Sequence, residues 1–322
     1  MAADKFYSII RDNIVDLFLW FWRYYIISIP LCRRYCRFLS LILFICFVHT
    51  VQGQEEPPAD ADSNWQLDLS GFLSATRTSF TNWQEGGVNT LGYSAEIKGK
   101  ANRQSERWKQ VHSLRLAFGQ MHQDELGTRK ATDVIQYNFV LQNLGSMLFN
   151  PTVSIEFRTQ FTTGLNYKKN PFKDGRDPPV KVSDFMAPIY IIEALGFSYD
   201  PDGWITSRLG IGGKQTIVNL RELGTLYGLD PGSKSKNEIG IESFTEVDVE
   251  LVENVIWESK LGLFAAFNKP EMPDARWENF LTMKINEWLN VRAEHVTFYD
   301  RDVSTRVQYK QITSIGVNIS IL

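Results

Sequence analysis

Three histidines follow residue 53, and they are the natural place to look for catalysis or metal binding. They are His112, His122 and His295. Their separations match none of the short spacings with which zinc proteins place their ligands. His295 beside a serine on a neighbouring strand is the one arrangement that resembles a hydrolase, because a histidine can activate a serine hydroxyl as a nucleophile. The sequence therefore predicts a protein that is not an enzyme, with a hydrolase built on His295 as the alternative.

Cysteine usage and charge exclude further classes of function. Cys32, Cys36 and Cys46 all precede residue 54, so the rest of the chain can form neither a disulfide nor a thiolate metal site. The net charge is −3 overall and −6 after residue 53, where 34 acidic side chains face 28 basic ones. An acidic chain without a basic stripe argues against nucleic acid. No nucleotide-binding loop or cofactor motif is present, and we expect no cofactor.

Polar and apolar side chains alternate almost throughout the chain after residue 64. Between residues 238 and 251, apolar residues alternate with Glu238, Glu242, Glu246, Asp248 and Glu250. Successive side chains of a strand point to opposite faces, so this pattern indicates strands with one polar and one apolar face. In a membrane barrel the polar faces line the interior, and opposite charges on neighbouring strands predict salt bridges there. The candidate lumen-lining residues are Glu96, Lys98, Lys100, Glu156, Arg158, Glu242, Glu246, Asp248, Glu250, Glu258, Lys260, Arg292, Glu294, Arg306 and Lys310.

Twelve segments carry this alternation. Most have the 9–11 residues that a tilted strand needs to cross a bilayer, whereas strands of soluble proteins average only five or six. The segments are 66–80, 90–103, 107–120, 132–144, 151–164, 185–200, 203–217, 238–252, 255–268, 276–286, 288–299 and 305–321.

The connections between these segments alternate in length. Short ones at 104–106, 145–150, 201–202, 253–254 and 287 alternate with longer ones at 81–89, 121–131, 165–184, 218–237, 269–275 and 300–304. Outer-membrane barrels have short periplasmic turns and longer outer loops. The sequence therefore predicts an all-β, antiparallel, up-and-down transmembrane barrel of about twelve strands, with both termini on the short-turn side.

Tryptophans support this placement. Odd-numbered segments begin near Trp65, Trp108, Trp204, Trp257 and Trp288, at the short-turn end, as expected of an aromatic girdle at a membrane interface. A soluble β-sandwich or a lipocalin-like barrel would also alternate, because one face packs a core. The ionic polar faces and the unequal connections argue against both.

The first 53 residues are predicted to be a leader. Arg33, Arg34 and Arg37 precede an apolar run at 38–48 and small residues before Gly53, which describes a secretory signal peptide cleaved after Gly53. A membrane anchor, a lipoprotein signal at Cys46 and a start site assigned too far upstream are alternatives. Residues 54–64 are predicted to be a flexible linker and residues 65–322 the barrel.

The segment at 82–89, Asn-Trp-Gln-Glu-Gly-Gly-Val-Asn, lies in the first long connection. Gly86, Gly87 and Asn89 suit the positive φ angles of a turn and Trp83 can anchor at the interface, so a structural turn is one interpretation and a binding determinant the other. Three further loop candidates are Asp184, which can start a strand, and Lys214 and Asn219, which flank a loop and could contact lipopolysaccharide phosphates or a solute.

This segment also carries a family resemblance, together with the motifs at 131–133, 157–161, 182–188 and 214–219. From about Phe80 to the C-terminus the chain resembles a family of outer-membrane β-barrels from Bacteroidetes and relatives that is known as a numbered domain of unknown function. The resemblance implies the barrel and its location in the bacterial outer membrane. It implies no reaction or substrate.

The sequence is compatible with three functions. The charged inner faces favour a narrow channel or a transporter of a small solute. A structural or binding barrel with a closed lumen, whose outer loops contact lipid or a partner, is the alternative. A membrane-embedded hydrolase is the third. In each case outer-membrane lipid is an expected partner.

Overall fold

The computed structural model describes residues 65–79, 89–124, 126–145, 148–172, 174–201 and 203–321. The predicted leader at 1–53 and linker at 54–64 lie outside these residues, as do Trp83, Gly86 and Gly87. No helix of the described residues is long and apolar enough to cross a membrane.

Fourteen strands are present in the described residues. They are β1 (Trp65–Thr78), β2 (Thr90–Gln104), β3 (Trp108–Gln123), β4 (Gly127–Asn143), β5 (Asn150–Thr159), β6 (Gly164–Asn166), β7 (Val180–Ser183), β8 (Ile189–Tyr199), β9 (Ile205–Ile217), β10 (Ser235–Val252), β11 (Val255–Ala266), β12 (Asp274–Lys284), β13 (Leu289–Tyr299) and β14 (Gln308–Ser320).

Twelve of these strands close into one barrel. Each pairs antiparallel with its neighbours in chain order, and β1 pairs with β14 from Ser70↔Ser320 to Ala75↔Ile315. The two short strands β6 and β7 form a separate hairpin inside the β5–β8 connection. The predicted twelve-stranded, up-and-down antiparallel barrel is therefore confirmed.

The exterior of the barrel is strongly apolar. Leu195, Leu209, Ile211 and Ile239 are each at least 60% exposed and point away from the lumen. A sheet in lipid satisfies all its backbone hydrogen bonds only when it is closed, and this barrel leaves no unpaired edge among its twelve strands. A closed barrel with an apolar exterior is the form in which outer-membrane proteins cross the bilayer. The protein is an outer-membrane β-barrel.

The β3–β4 connection differs from the sequence prediction. Residues 121–131 were expected to form a long loop, but β3 continues to Gln123 and β4 begins at Gly127. A register shift between Gly119 and Gln120 and the positive φ of 69° at Gly127 allow the hairpin to extend and turn tightly. Extending the ladder pairs backbone groups that a loop would leave to water.

The two longest connections contain structure of their own. A 3-10 helix spans Arg221–Tyr227, and Leu223 packs with Ala187, Val218 and Leu229 in a small buried cluster. Residues 185–188, predicted as the start of a strand, instead form a tight turn in which Asp184 and Ala187 exchange backbone hydrogen bonds. Local periodicity cannot reveal this cluster, because its members come from different connections.

Two inward glycines allow β8 and β9 to approach closely. A Cβ atom at Gly210 would overlap the backbone carbonyl of Leu195, and one at Gly196 would overlap that of Leu209. At Gly213, on the outward face of the same strand β9, the nearest atom would lie 4.0 Å away.

Gly210→Ala is expected to destabilise the barrel by about 1–3 kcal/mol, the usual cost of overpacking. Gly213→Ala is the matched control on β9 and should leave stability nearly unchanged. The measurement is urea unfolding of the detergent-folded protein, followed by the heat-modifiable migration of the barrel on gels. Equal unfolding midpoints for the two variants would contradict the close approach.

Candidate functional site

The inner faces of the strands bring most of the predicted lumen-lining residues together. The residues that line the two interior cavities are Glu96, Lys98, Lys100, Glu156, Arg158, Glu242, Glu246, Asp248, Glu258, Lys260 and Arg292. Glu294 and Lys310 also face inward and form an ion pair at 2.6 Å. The alternation of polar and apolar residues thus places charges from distant parts of the chain in one lumen.

Two of the predicted residues lie elsewhere. Arg306 is exposed in the connection before β14, because that strand begins only at Gln308 rather than at residue 305. The prediction that Arg306 lines the lumen is therefore wrong. Glu250 is exposed at the short-turn end, where its Oε1 accepts a hydrogen bond of 2.8 Å from the backbone N–H of Asn254 in the β10–β11 turn.

A cavity of about 730 Å³ occupies the short-turn half of the lumen. Lys98 on β2 forms an ion pair of 2.6 Å with Glu258 on β11, nearly opposite in the barrel. Lys260 pairs with Glu246 at 2.9 Å. Both signs of charge therefore line this cavity, and Asp248 and Lys100 remain exposed to it.

A central ion-pair cluster lies at the inner end of this cavity. We use this name for Glu96, Arg115, Arg292, Glu294 and Phe280. Glu96 accepts a hydrogen bond of 2.8 Å from Nε of Arg115 and a second one from Nη1 of Arg292. Arg115 Nη2 lies 3.4 Å from Glu294. The cluster joins β2, β3 and β13 across the interior, so buried charges are compensated where water is scarce.

Phe280 packs against both arginines of the cluster. Its ring centroid lies 4.6 Å from the guanidinium of Arg115 and 4.6 Å from that of Arg292, and the residue is only 2% exposed. Lys98 Nζ lies 5.1 Å from the same ring. Cations are attracted to an aromatic face, and the attraction is stronger when both groups are desolvated. The ring therefore contributes to holding the arginines in the middle of the lumen.

A smaller cavity of about 170 Å³ lies on the long-loop side. It is lined by Phe244, Phe264 and Phe298 and by the ion pair of Arg158 with Glu278, whose atoms are 3.1 Å apart. The two cavities share Gln136, Lys260 and Glu278 as lining residues. These side chains separate the two compartments.

Lys214 belongs to this outer compartment. It is 6% exposed on the inner face of β9, where Nζ lies 2.5 Å from Asp274 and 2.9 Å from Asp300. Both carboxylates hold Lys214 inside the barrel, so it does not reach lipopolysaccharide as one of the two predictions required. Its predicted contact with a solute stays a prediction, since the side chain lines the outer cavity. Asn219 is exposed in the connection that follows β9.

Asp184 and Asn89 have contacts within the loops. Burial raises the pKa of Asp184, but its ion pair with Lys181 and hydrogen bonds from Thr163 and the backbone of Phe185 outweigh burial, so the pKa lies below its usual value. Asn89 donates a hydrogen bond of 2.8 Å to Asp124 and joins two neighbouring connections. These contacts give both side chains a structural role.

The three histidines have separate hydrogen-bond partners and form no common site. His112 faces outward and contacts the Tyr137 hydroxyl at 2.8 Å, while His122 contacts Thr128 at 3.0 Å. His295 also faces outward, and its hydrogen-bond partners are Thr297 and Gln311 rather than a serine. Within the described residues, no group of three or more His, Cys, Asp or Glu is arranged to hold a metal ion.

Several lumen residues were not among those predicted, although the alternation of the sequence places them on the inner face. Arg115 alternates with the outward Leu114 and Leu116, and Glu278 alternates with the outward Trp277. Phe280 could not be recognised in the same way, because a phenylalanine on a polar inner face looks like an interruption of the pattern.

A family described as a protein of unknown function (DUF3078) matches residues 75–165. The resemblance to a numbered domain of unknown function is thereby confirmed over that range. No curated protein matches the chain in sequence.

Several solved outer-membrane proteins align with most of this chain at low identity. The translocator domain of the autotransporter NalP from Neisseria meningitidis is 10% identical, with a TM-score of 0.34 and coverage of 87% of this chain and 96% of that chain. An outer membrane channel from Pseudomonas putida F1 is 9% identical, with a TM-score of 0.37 and coverage of 82% and 98%. The outer membrane protease OmpT from Escherichia coli is 13% identical, with a TM-score of 0.18 and coverage of 83% and 99%. The membrane location rests on the closed sheet and apolar exterior of this chain.

Glu96→Gln is expected to lower the free energy of unfolding by about 3–5 kcal/mol, because it leaves two buried guanidinium groups without their shared carboxylate. Asp248→Asn makes the same chemical change at an exposed lumen position and should cost less than about 0.5 kcal/mol. Denaturant unfolding in detergent measures both. A smaller loss for Glu96→Gln than for Asp248→Asn would show that the cluster does not depend on this carboxylate.

Proposed function

We propose that the protein is a narrow outer-membrane channel for small polar solutes, closed in this conformation by the central ion-pair cluster. The observation that carries the proposal is the pair of interior cavities, each lined in part by charged side chains, that meet at Gln136, Lys260 and Glu278. A barrel whose interior side chains served only to pack it would need no cavity of about 730 Å³ beside that boundary.

The charge pattern supports a solute that carries both signs or neither. Lys98 and Lys260 face Glu258 and Glu246 in the larger cavity, so neither sign dominates. Lumen charges set the selectivity of a barrel channel, and an interior of mixed sign does not strongly exclude either cations or anions. With short turns on the periplasmic side, the larger cavity opens toward the periplasm.

Passage requires the central ion-pair cluster to rearrange. Phe280 and the two arginines occupy the middle of the lumen, and Arg158 with Glu278 spans the boundary between the cavities. The motion needed is a change of side-chain rotamers, because the paired strands that carry these residues are fixed in the closed sheet.

A closed binding or structural barrel is the second candidate. The observation that favours it is the number of interior ion pairs that join distant strands, including Lys98 with Glu258 and Arg158 with Glu278. Such a barrel would present its folded outer connections to a partner and would conduct nothing.

Single-channel recording in planar bilayers distinguishes the two candidates. The unsubstituted protein is expected to open rarely, and Phe280→Ala is expected to raise the open probability or conductance several-fold, because it removes the ring that holds Arg115 and Arg292. Phe197→Ala makes the same change on the lipid-facing surface of β8, where Phe197 is 56% exposed, and should behave like the unsubstituted protein. Silence of folded Phe280→Ala across salts and voltages would favour the closed barrel.

A further inference from the structure

The outer cavity, of about 170 Å³, is lined by three aromatic side chains. They are Phe244 on β10, Phe264 on β11 and Phe298 on β13, and each has the parity of the lumen-facing residues of its strand. Phe244 and Phe264 are buried. A protein cavity of about 150 Å³ is large enough to hold benzene. The outer cavity therefore has room for a small apolar group beside these rings.

A glycine on β11 leaves space between the rings. Gly262 is in register with Phe244 and with Arg276, and Arg276 is in register with Phe298. Phe264 follows Gly262 two residues later on the same face. A Cβ atom at Gly262 would meet only the edge of the Phe244 ring, at 3.6 Å, which is ordinary van der Waals contact. The phenylalanines thus flank a position where no side chain fills the cavity.

The four cations that line the outer cavity all have carboxylate partners within 3.1 Å. The pairs are Arg158 and Arg276 with Glu278, Lys260 with Glu246, and Lys214 with Asp274 and Asp300. An anionic group that entered the outer cavity would therefore have to compete with a carboxylate of the chain for each cation.

Glu156 on β5 also lines the outer cavity, and it has no such partner. Its side chain forms no hydrogen bond and no ion pair with any described residue. Glu242 on β10 has one contact of this kind, 3.6 Å from Arg208. A carboxylate in a confined interior is costly when it is not paired with a positive charge. The outer cavity is therefore suited to a cation supplied from outside the chain.

The combination of aromatic rings with an unpaired carboxylate selects one kind of cation. Aromatic faces attract cations, and a carboxylate forms a strong hydrogen bond with an ammonium group. We propose that the outer cavity binds an organic ammonium group, with its nitrogen at Glu156 and its apolar substituent against the phenylalanines. The inference rests on the proposed channel and names one part of its solute, since a solute that carries both signs can include such a group.

Two other occupants fit the lining less well. Calcium and magnesium ions take about six or more oxygen ligands, whereas Glu156 is one carboxylate beside three hydrocarbon rings. A hydrocarbon would contact the rings but would leave Glu156 without a partner. An ammonium group with an apolar substituent satisfies both parts of the cavity.

Binding of tert-butylammonium and of tert-butanol tests the proposal, because these probes have nearly the same shape and differ in charge. Saturation-transfer NMR of the tert-butyl protons measures both affinities on the folded chain in deuterated detergent. The cation is expected to bind at least roughly tenfold more tightly than the alcohol, as one hydrogen bond between charged groups would produce. Equal affinities, or no binding of the cation, would overturn the proposal.

Glu156→Gln removes the charge and keeps the shape of the side chain. It is expected to weaken binding of tert-butylammonium roughly tenfold and to leave binding of tert-butanol unchanged. Asp248→Asn is the matched control, because it makes the same change at a carboxylate of the larger cavity. An unchanged affinity in Glu156→Gln, or an equal loss in Asp248→Asn, would show that the cation does not bind at Glu156.

Gly262→Leu fills the outer cavity and is expected to abolish binding of both probes. Gly213→Leu, on the outward face of β9, is the control and should bind them like the unsubstituted protein. Heat-modifiable migration verifies that each barrel is folded. Full binding by folded Gly262→Leu would contradict the proposed location, and if this variant does not fold, Glu156→Gln decides.

The binding measurement requires no conduction and is therefore independent of the proposed channel. Absence of tert-butylammonium binding overturns the ammonium site whatever the bilayer recordings show. Binding by a protein whose Phe280→Ala variant stays silent in bilayers would support the site and count against the channel.

Discussion

The need to pair every backbone N–H and C=O group within lipid is the constraint on which this structure depends. A sheet that crosses a membrane must close, because an unpaired edge would leave a row of polar groups without partners. Here β1 and β14 supply the closing pairs, although they are the first and last strands of the described chain. Closure then fixes which side chains point into the lumen and which point into the lipid.

A closed interior creates a second requirement, that the charges it contains be compensated. Glu96 accepts hydrogen bonds from Arg115 and Arg292, and both guanidinium groups pack against the ring of Phe280. Removing one member of this cluster would leave another buried charge without a partner. The same residues therefore stabilise the barrel and, in the proposed channel, close its lumen. Any passage of a solute must use their side-chain freedom and not that of the strands.

Polar groups have different surroundings on the two faces of the barrel. In the lumen, charged side chains are frequent and form ion pairs with opposite charges on distant strands. On the exterior, Asn279 and Gln311 interrupt an apolar surface. Asn279 accepts a hydrogen bond from a tryptophan, and Gln311 contacts a histidine ring nitrogen. The charges of the interior are thus compensated mainly by ion pairs within one chain.

The number of barrel strands, their approximate bounds and the face to which most of their side chains point could be predicted from the sequence, whereas the length of the β3–β4 connection could not. These predictions follow from a period of two, which is a local property that neighbouring residues show directly. Only the tertiary structure decided which charges meet. Lys98 and Glu258 are 160 residues apart and Glu96 and Arg292 are 196 apart, and their contacts depend on the circumference and register of the closed sheet. Lys214 and Arg306 were misplaced for related reasons: strand ends and cross-lumen partners are set by closure and packing, which no local pattern records.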